Sequence, residues 1–331
     1  MYKYLLCWRY LRTRYIALAS IISVMLVVAT MIVVNSVMAG FADKMRDRLH
    51  GILADVIVES ASLEGFTNGD EVMARIIGLA KNEIEAMAPT METPGILRFR
   101  IGSEYQTHPV QIIGVNPAER AKTGDFAEFL FDDKGNQIPP SFAVPEELRA
   151  RSPAGMRLKE LEAEGQTGDA FQKATVDYLK QQQLEQMPLH GAIIGYAIGT
   201  YHRGKGLDDY YLAPPGTKIG LHFPKHGKTP EAGNDVFTVV GYFKSGMSEY
   251  DSTHVYVPLE QLQKTRLLVD PEGRGAVNQI QIKVKPGVDI DKLADKIGLA
   301  LDALRPMYFR VSTWEEKQGP LLAAVAIEQS I

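Results

Sequence analysis

Four groupings of residues have types and spacings that chemistry could use. Gly199-Thr-Tyr-His-Arg-Gly204-Lys205-Gly206 follows a phosphate-gripping loop as far as its lysine. Such a loop needs Ser or Thr next, to hold magnesium, and a following helix whose N-terminus faces phosphate. Here Gly206 fills the hydroxyl position, and the helical pattern precedes the loop. His222 and His226 stand four apart, as zinc ligands on one helix face do. Pro224 and Gly227 argue against a helix there, and the sequence places no third ligand. Asp208, Asp209, Glu249 and Asp251, beside Tyr210 and Tyr211, are carboxylates enough for acid–base work, but nothing fixes their separation. Gly191, Gly195 and Gly199 repeat every four residues. In lipid that spacing marks helix pairing. Outside lipid it predicts a glycine face, on a helix over 190–200, against which another element packs closely. No G-x-S-x-G elbow or HExxH motif occurs, and the single cysteine is Cys7. The expectation is a chain with no catalytic residue, no metal and no cofactor, hence not an enzyme.

The elements that would position such residues begin with one anomaly. Ile16 to Ala42 holds no charged residue over 27 positions. As a helix it would be about 40 Å long, and a bilayer core of about 30 Å needs about 20 residues. Lys3, Arg9, Arg12 and Arg14 precede it without an acid, whereas Asp43 to Arg48 are mixed in sign. The positive-inside bias puts residues 1–15 in the cytoplasm and everything after about 45 outside. A cleaved signal peptide ending at Val37-Met38-Ala39 is the alternative, but the apolar stretch exceeds the usual length and its leader is long. Removing the four leading bases from 36 leaves 32 against 40 acids, a mildly acidic external part. With a net charge of −4 the chain is no nucleic-acid binder. The external part has no cysteine and must fold on its core alone.

That part reads as mixed α+β. Strands are expected at 55–60, 96–101, 110–115, 218–222, 236–243 and 254–257, from β-rich or near-continuous apolar runs. Apolar residues at 72, 73, 76, 77, 80, 84 and 87 predict a helix over Asp70–Met87, capped by Asn68 or Asp70. Pro117 to about Met187 reads as irregular surface structure with a helix near 169–187. A short helix should open at Pro258. The tail reads as one βαβ unit: strand 277–284, helix 290–304, strand 308–311. Thr313-Trp-Glu-Glu316 is a capping box that opens a final helix.

These residues resemble the transmembrane subunits of ABC export systems with a large periplasmic domain, the LolC/LolE, MacB and FtsX group. Arg9-Tyr-Leu-Arg12, the apolar helix and Ser36-Val-Met-Ala-Gly40-Phe41 are similar to the first helix of lipoprotein-releasing permeases. Gly191-Ala-Ile-Ile-Gly195 is similar to that group's "GIILG" segment. Phe237-Thr-Val-Val-Gly241 through Gly246, Glu249-Tyr-Asp251 and Val255-Tyr-Val-Pro258-Leu259 follow its later motif in order. The resemblance implies cytoplasmic residues 1–15, a membrane helix over 16–42 and a MacB-like periplasmic core over 43–312, in the bacterial inner membrane. Residues 313–331 would lead toward a second span that this chain lacks, making it a fragment or a truncated product; 117–188 would be an insertion. The implied partners are a cytoplasmic ABC ATPase, a second permease copy or paralogue, membrane lipids and a periplasmic carrier or lipoprotein. The implied function is transmission of ATPase-driven motion to the periplasmic domain, for lipoprotein release. A single-pass anchored binding or adaptor protein is the alternative. By analogy with relatives that dock a carrier through a hairpin, Phe223, Lys225, His226 and Lys228 are the candidate docking residues.

Overall fold

A helix, α1 (Tyr15–Ile52), begins the described part of the chain. The computed structural model describes residues 2–4, 9, 15–150, 156–157, 175–182, 188, 190–204, 209–227, 231–303 and 308–319. Inside α1, Ser20, Ser23 and Thr30 turn their hydroxyls back onto carbonyls four residues earlier, which satisfies them without water. Among the described residues this is the one helix long and apolar enough to cross a membrane, an 18-residue stretch of it having a mean hydropathy of 2.5. Its helical run passes the expected end at Ala42 by ten residues.

The chain divides into two units, 1–49 with 318–331 and 50–317. The second contains β1 (Val56–Ser60), α2 (Gly69–Ala80), β2 (Ile84–Ile101), β3 (Glu104–Val115), α3 (Pro117–Arg120), β4 (Leu130–Phe131) and α4 (Glu146–Ala150). Next come β5 (Gly191–Gly195), α5 (Tyr196–Gly199), β6 (Thr200–Tyr201), β7 (Tyr210–Tyr211), β8 (Lys218–Pro224) and β9 (Ala232–Phe243). The remainder is α6 (Ser248–Thr253), β10 (His254–Pro258), α7 (Leu259–Thr265), β11 (Gln279–Val284), α8 (Ile290–Asp302), β12 (Phe309–Thr313) and α9 (Trp314–Lys317).

Two substructures share β2. In the first, the strands run β12-β1-β11-β2, all antiparallel. With α2 after β1 and α8 after β11, this is a βαββαβ arrangement of ferredoxin-like order. The expected βαβ tail is therefore split: β1 lies between β11 and β12. Val72, Ile76 and Ala80 of α2 and Leu293, Ile297 and Leu301 of α8 bury against Val56, Val58, Ile280 and Ile282 of the sheet. Asp289 caps α8 by accepting the Lys292 N–H at 3.2 Å.

The second substructure is inserted between β2 and β11. β2 pairs with β3, β3 with β10, β10 with β5, β5 with β9, β9 with β8, and β8 with residues 96–99 of β2. The ring of six strands closes on itself, which removes open edges from the barrel. Phe99, Ile112, Ile194, Leu221, Phe237, Val239 and Val257 fill it.

Four expectations are corrected. The helix expected over Asp70–Met87 ends at Ala80, and Ile84 and Met87 belong to an 18-residue strand. Asn68 sits at the cap position but makes no side-chain cap bond. The helix expected over 190–200 is instead strand β5 followed by the single turn α5. The glycines do mark close packing, but on β5 and the turn after it, against α6, β9 and the segment at Phe142. A Cβ on Gly195 would strike the Asp251 carbonyl oxygen, and one on Gly199 would come 2.6 Å from the Tyr242 ring. Residues 117–144 are not merely surface structure, since Phe126, Leu130, Phe142 and Val144 are buried. Residues 175–182 are helical; the rest of the helix expected near 169–187 lies outside the described residues, as does the chain after 319.

Gly195→Ala is expected to destabilise the domain by about 1–3 kcal/mol, because the obstructing atom is backbone and cannot swing aside. Thermal unfolding followed by circular dichroism measures it. An unchanged midpoint would show that β5 can move away from Asp251.

Candidate functional site: the junction at Asp55

Helix ends leave carbonyls without intrahelical partners. At the end of α1, the Asp125 N–H donates to the Gly51 carbonyl at 2.9 Å, and Arg120 Nη2 donates to the Ile52 carbonyl at 2.5 Å. A Cβ on Gly51 would meet the Asp125 carboxylate and oblige that side chain to turn aside. A buried guanidinium on the last carbonyl also suits the negative end of the helix dipole. Arg120 is 4% exposed, and its Nη1 donates to Thr123 Oγ1 at 3.0 Å. Burial pulls the Arg120 pKa down, while Tyr256 and Glu92 push it up. The Glu92 carboxyl is raised by burial, against Lys317. Burial, with Arg120 nearby, brings His254 down to about 4, so its imidazole is neutral at ordinary pH.

Three residues beyond α1, Asp55 gathers four segments. Its Oδ1 accepts from His50 Nε2 at 2.5 Å and lies 3.6 Å from Lys283 Nζ. Its Oδ2 accepts the Val284 N–H at 2.7 Å, and its carbonyl accepts the Trp314 N–H at 3.2 Å. The His50 and Trp314 rings lie 5.2 Å apart. Burial works to raise the Asp55 carboxyl, but His50, the Val284 N–H and Lys283 together hold it below its ordinary value. Alongside, Glu59 binds Lys317 and accepts from Gln279 at 2.7 Å. The end of α1, the start of β1, the end of β11 and the start of α9 are thus fastened at one place. The Thr313–Glu316 capping box forms as expected, with reciprocal bonds of 3.2 and 3.3 Å. This arrangement holds elements together.

The other groupings are placed as follows. Asp251 accepts from the Ser245 N–H, Ser245 Oγ and the Gly246 N–H, and so fixes the turn after β9. Asp209 receives the Tyr196 hydroxyl at 2.8 Å and lies 2.6 Å from His202 Nδ1. Asp208, Lys205 and Gly206 lie outside the described residues. His222 lies in β8, not on a helix, and no metal-binding group of side chains occurs among the described residues.

Three solved structures are similar to this chain. One is the periplasmic region of MacB from Actinobacillus actinomycetemcomitans, at 14% identity and TM-score 0.37, covering 82% of this chain and 95% of that one. Another is the extracellular domain of the ABC-type transporter YknZ from Gram-positive bacteria, at 12% identity and TM-score 0.36, covering 78% and 100%. A third is a domain of a putative permease protein from Porphyromonas gingivalis, at 13% identity and TM-score 0.32, covering 80% and 88%. No family profile and no curated protein sequence matches.

The expected docking residues fare differently from one another. Phe223 is not at a hairpin tip: β8 runs on to Pro224, and its alternation turns Ile219, Leu221 and Phe223 inward, leaving Phe223 3% exposed. The Lys225 N–H donates to the Glu231 carbonyl at 3.0 Å. His226 is exposed but engaged: Nδ1 is 2.8 Å from Glu64, and its N–H donates to the Arg266 carbonyl at 3.0 Å. Lys228 lies outside the described residues.

Sequence reading missed Asp55 and Arg120 as site residues. Asp55 had one signal, an acid opening the otherwise apolar strand DVIV. Arg120, in Asn-Pro-Ala-Glu-Arg, had none.

Proposed function

We propose that this chain is the membrane subunit of an ABC-type export system, with α1 crossing the inner membrane from a cytoplasmic N-terminus and 50–317 lying on the far side. In this reading a cytoplasmic ATPase supplies the work through its different affinities for two states. The subunit passes a helix movement to its external domain as a rigid-body displacement. The cargo is a lipoprotein, handed to a periplasmic carrier, and the working unit holds a second copy or paralogue. One observation carries the reading: the terminal carbonyls of α1 are received by Asp125 and Arg120, and His50 ties the same turn to Asp55. A helix serving only as a tether has no need of such fastening.

The full chain, purified with mild detergent from its own membranes, should bring down an ATPase. Spin labels on the exposed Leu299 of two copies should change their separation when ATP is added. Absence of any ATPase, with a constant label separation, would leave the anchored adaptor as the better description.

A further inference from the structure

β2 is paired unequally along its length. From Ile84 to Thr90 it pairs with β11 on one side, and its pairing with β3 begins only at Thr90. β8 joins it only at residues 96–99. Among the described residues no strand lies against the second edge of Ile84–Pro89. The barrel removes such edges by closing; this stretch has no strand beside it among the described residues, only the short helix α3, whose Glu119 lines the hollow there. An unpaired strand edge offers backbone donors and acceptors that another extended chain satisfies.

A cavity of about 540 Å³ lies along this edge, walled on its far side by Met73, Ala74 and Ile77 of α2. Ile77 is 42% exposed there. Asp70, Met73, Pro89 and Glu119 also line a second cavity, of about 860 Å³, that continues toward α7. The trough thus has a strand edge on one side and a helix with apolar residues on the other, room for an extended chain to lie between them. Its charges select further. Asp70, Glu85 and Glu119 face the trough against Lys81. The two other cations along it are internally engaged, Lys264 with Glu260 at 3.9 Å and Arg274 with Asp270 at 2.7 Å. The surplus is negative.

We propose that the edge Ile84–Pro89 and the trough beside α2 form a docking site for an extended polypeptide segment of a partner protein, one that alternates apolar and basic side chains and adds as a strand to β2. The apolar side chains lie against Met73 and Ile77, and the basic ones reach Asp70, Glu85 and Glu119. The site stands independently of the transport reading, since an adaptor would use it equally.

The test uses the full chain in detergent micelles and a fluorescein-labelled peptide of about eight residues alternating valine and lysine, long enough for the open edge at about 3.3 Å per residue. Fluorescence anisotropy should show saturable binding. The valine–glutamate counterpart should bind at least about tenfold more weakly. Methylating the peptide's alternate backbone nitrogens should weaken binding about tenfold for the set that faces β2 and leave the other set unaffected. The surface pair Ile77→Asp with Glu119→Lys should also weaken it about tenfold. Absence of saturable binding overturns the proposal. So does equal binding by the parent and both methylated peptides, which would mean adhesion by charge or to the micelle, and so does indifference to the surface pair.

Discussion

Asp55→Ala should lower the stability of the external domain by about 3–5 kcal/mol, the range for removing one member of a buried ionic network. At 3% exposure the carboxylate has almost no solvent to replace. Its loss leaves the Val284 N–H, His50 and Lys283 without their common acceptor. For a domain of this size the thermal midpoint should drop by about 10 °C. Acid gives an independent check with a definite sign. The folded-state pKa of Asp55 lies below its ordinary value of 3.8. Its contribution is therefore complete above the unfolded pKa and disappears as pH falls through the folded one. The native chain should weaken steeply below about pH 4, and the Ala variant should show a shallower acid limb over the same window. Thermal melts between pH 2 and 7 supply both readings. Parallel acid limbs would show that Asp55 gains nothing from its partners.

Arg120→Met is expected to cost about 3 kcal/mol or more, because a side chain of similar length fills the space but caps nothing. The Ile52 carbonyl and Thr123 lose their donor, and Glu92 loses a buried cation. Arg120 Nε already lacks a partner, so part of the native network is unsatisfied. Lys317 still offsets Glu92, so adding Glu92→Gln removes only the part of its charge that Arg120 had balanced and should recover about 1 kcal/mol at most. The double-mutant cycle, measured by chemical denaturation, separates the helix-capping loss from the charge loss. Strict additivity would mean that Glu92 and Arg120 do not interact and that the effect lies wholly at the end of α1.

What was legible in the sequence was local. The uncharged run from Ile16 to Ala42 fixes a long helix because no charge or proline interrupts it and its hydroxyls can bond back to the preceding turn. The Thr313–Glu316 box and the elements of the tail were readable because their signals lie within a few residues of each other. The misreadings share one cause, that pairing across the chain overrides short-range period. Gly191, Gly195 and Gly199 have helical spacing, yet β5 is claimed by β9 on one side and β10 on the other. Phe223 looked like a loop residue until β8 found both β9 and β2. The site was least legible. Arg120 and Ile52 are 68 positions apart, and Asp55 and Val284 are 229 apart.

The domain's two ends leave by adjacent strands. β1 and β12 lie antiparallel, with Val56 opposite Thr313 and Ser60 opposite Phe309. Mechanical load therefore has a direction of weakness. Forces that carry both ends the same way put no strain on the ladder between them. Forces that spread the ends apart act on its outermost rung first and peel it open like a zip, so the domain tolerates being carried far better than being prised.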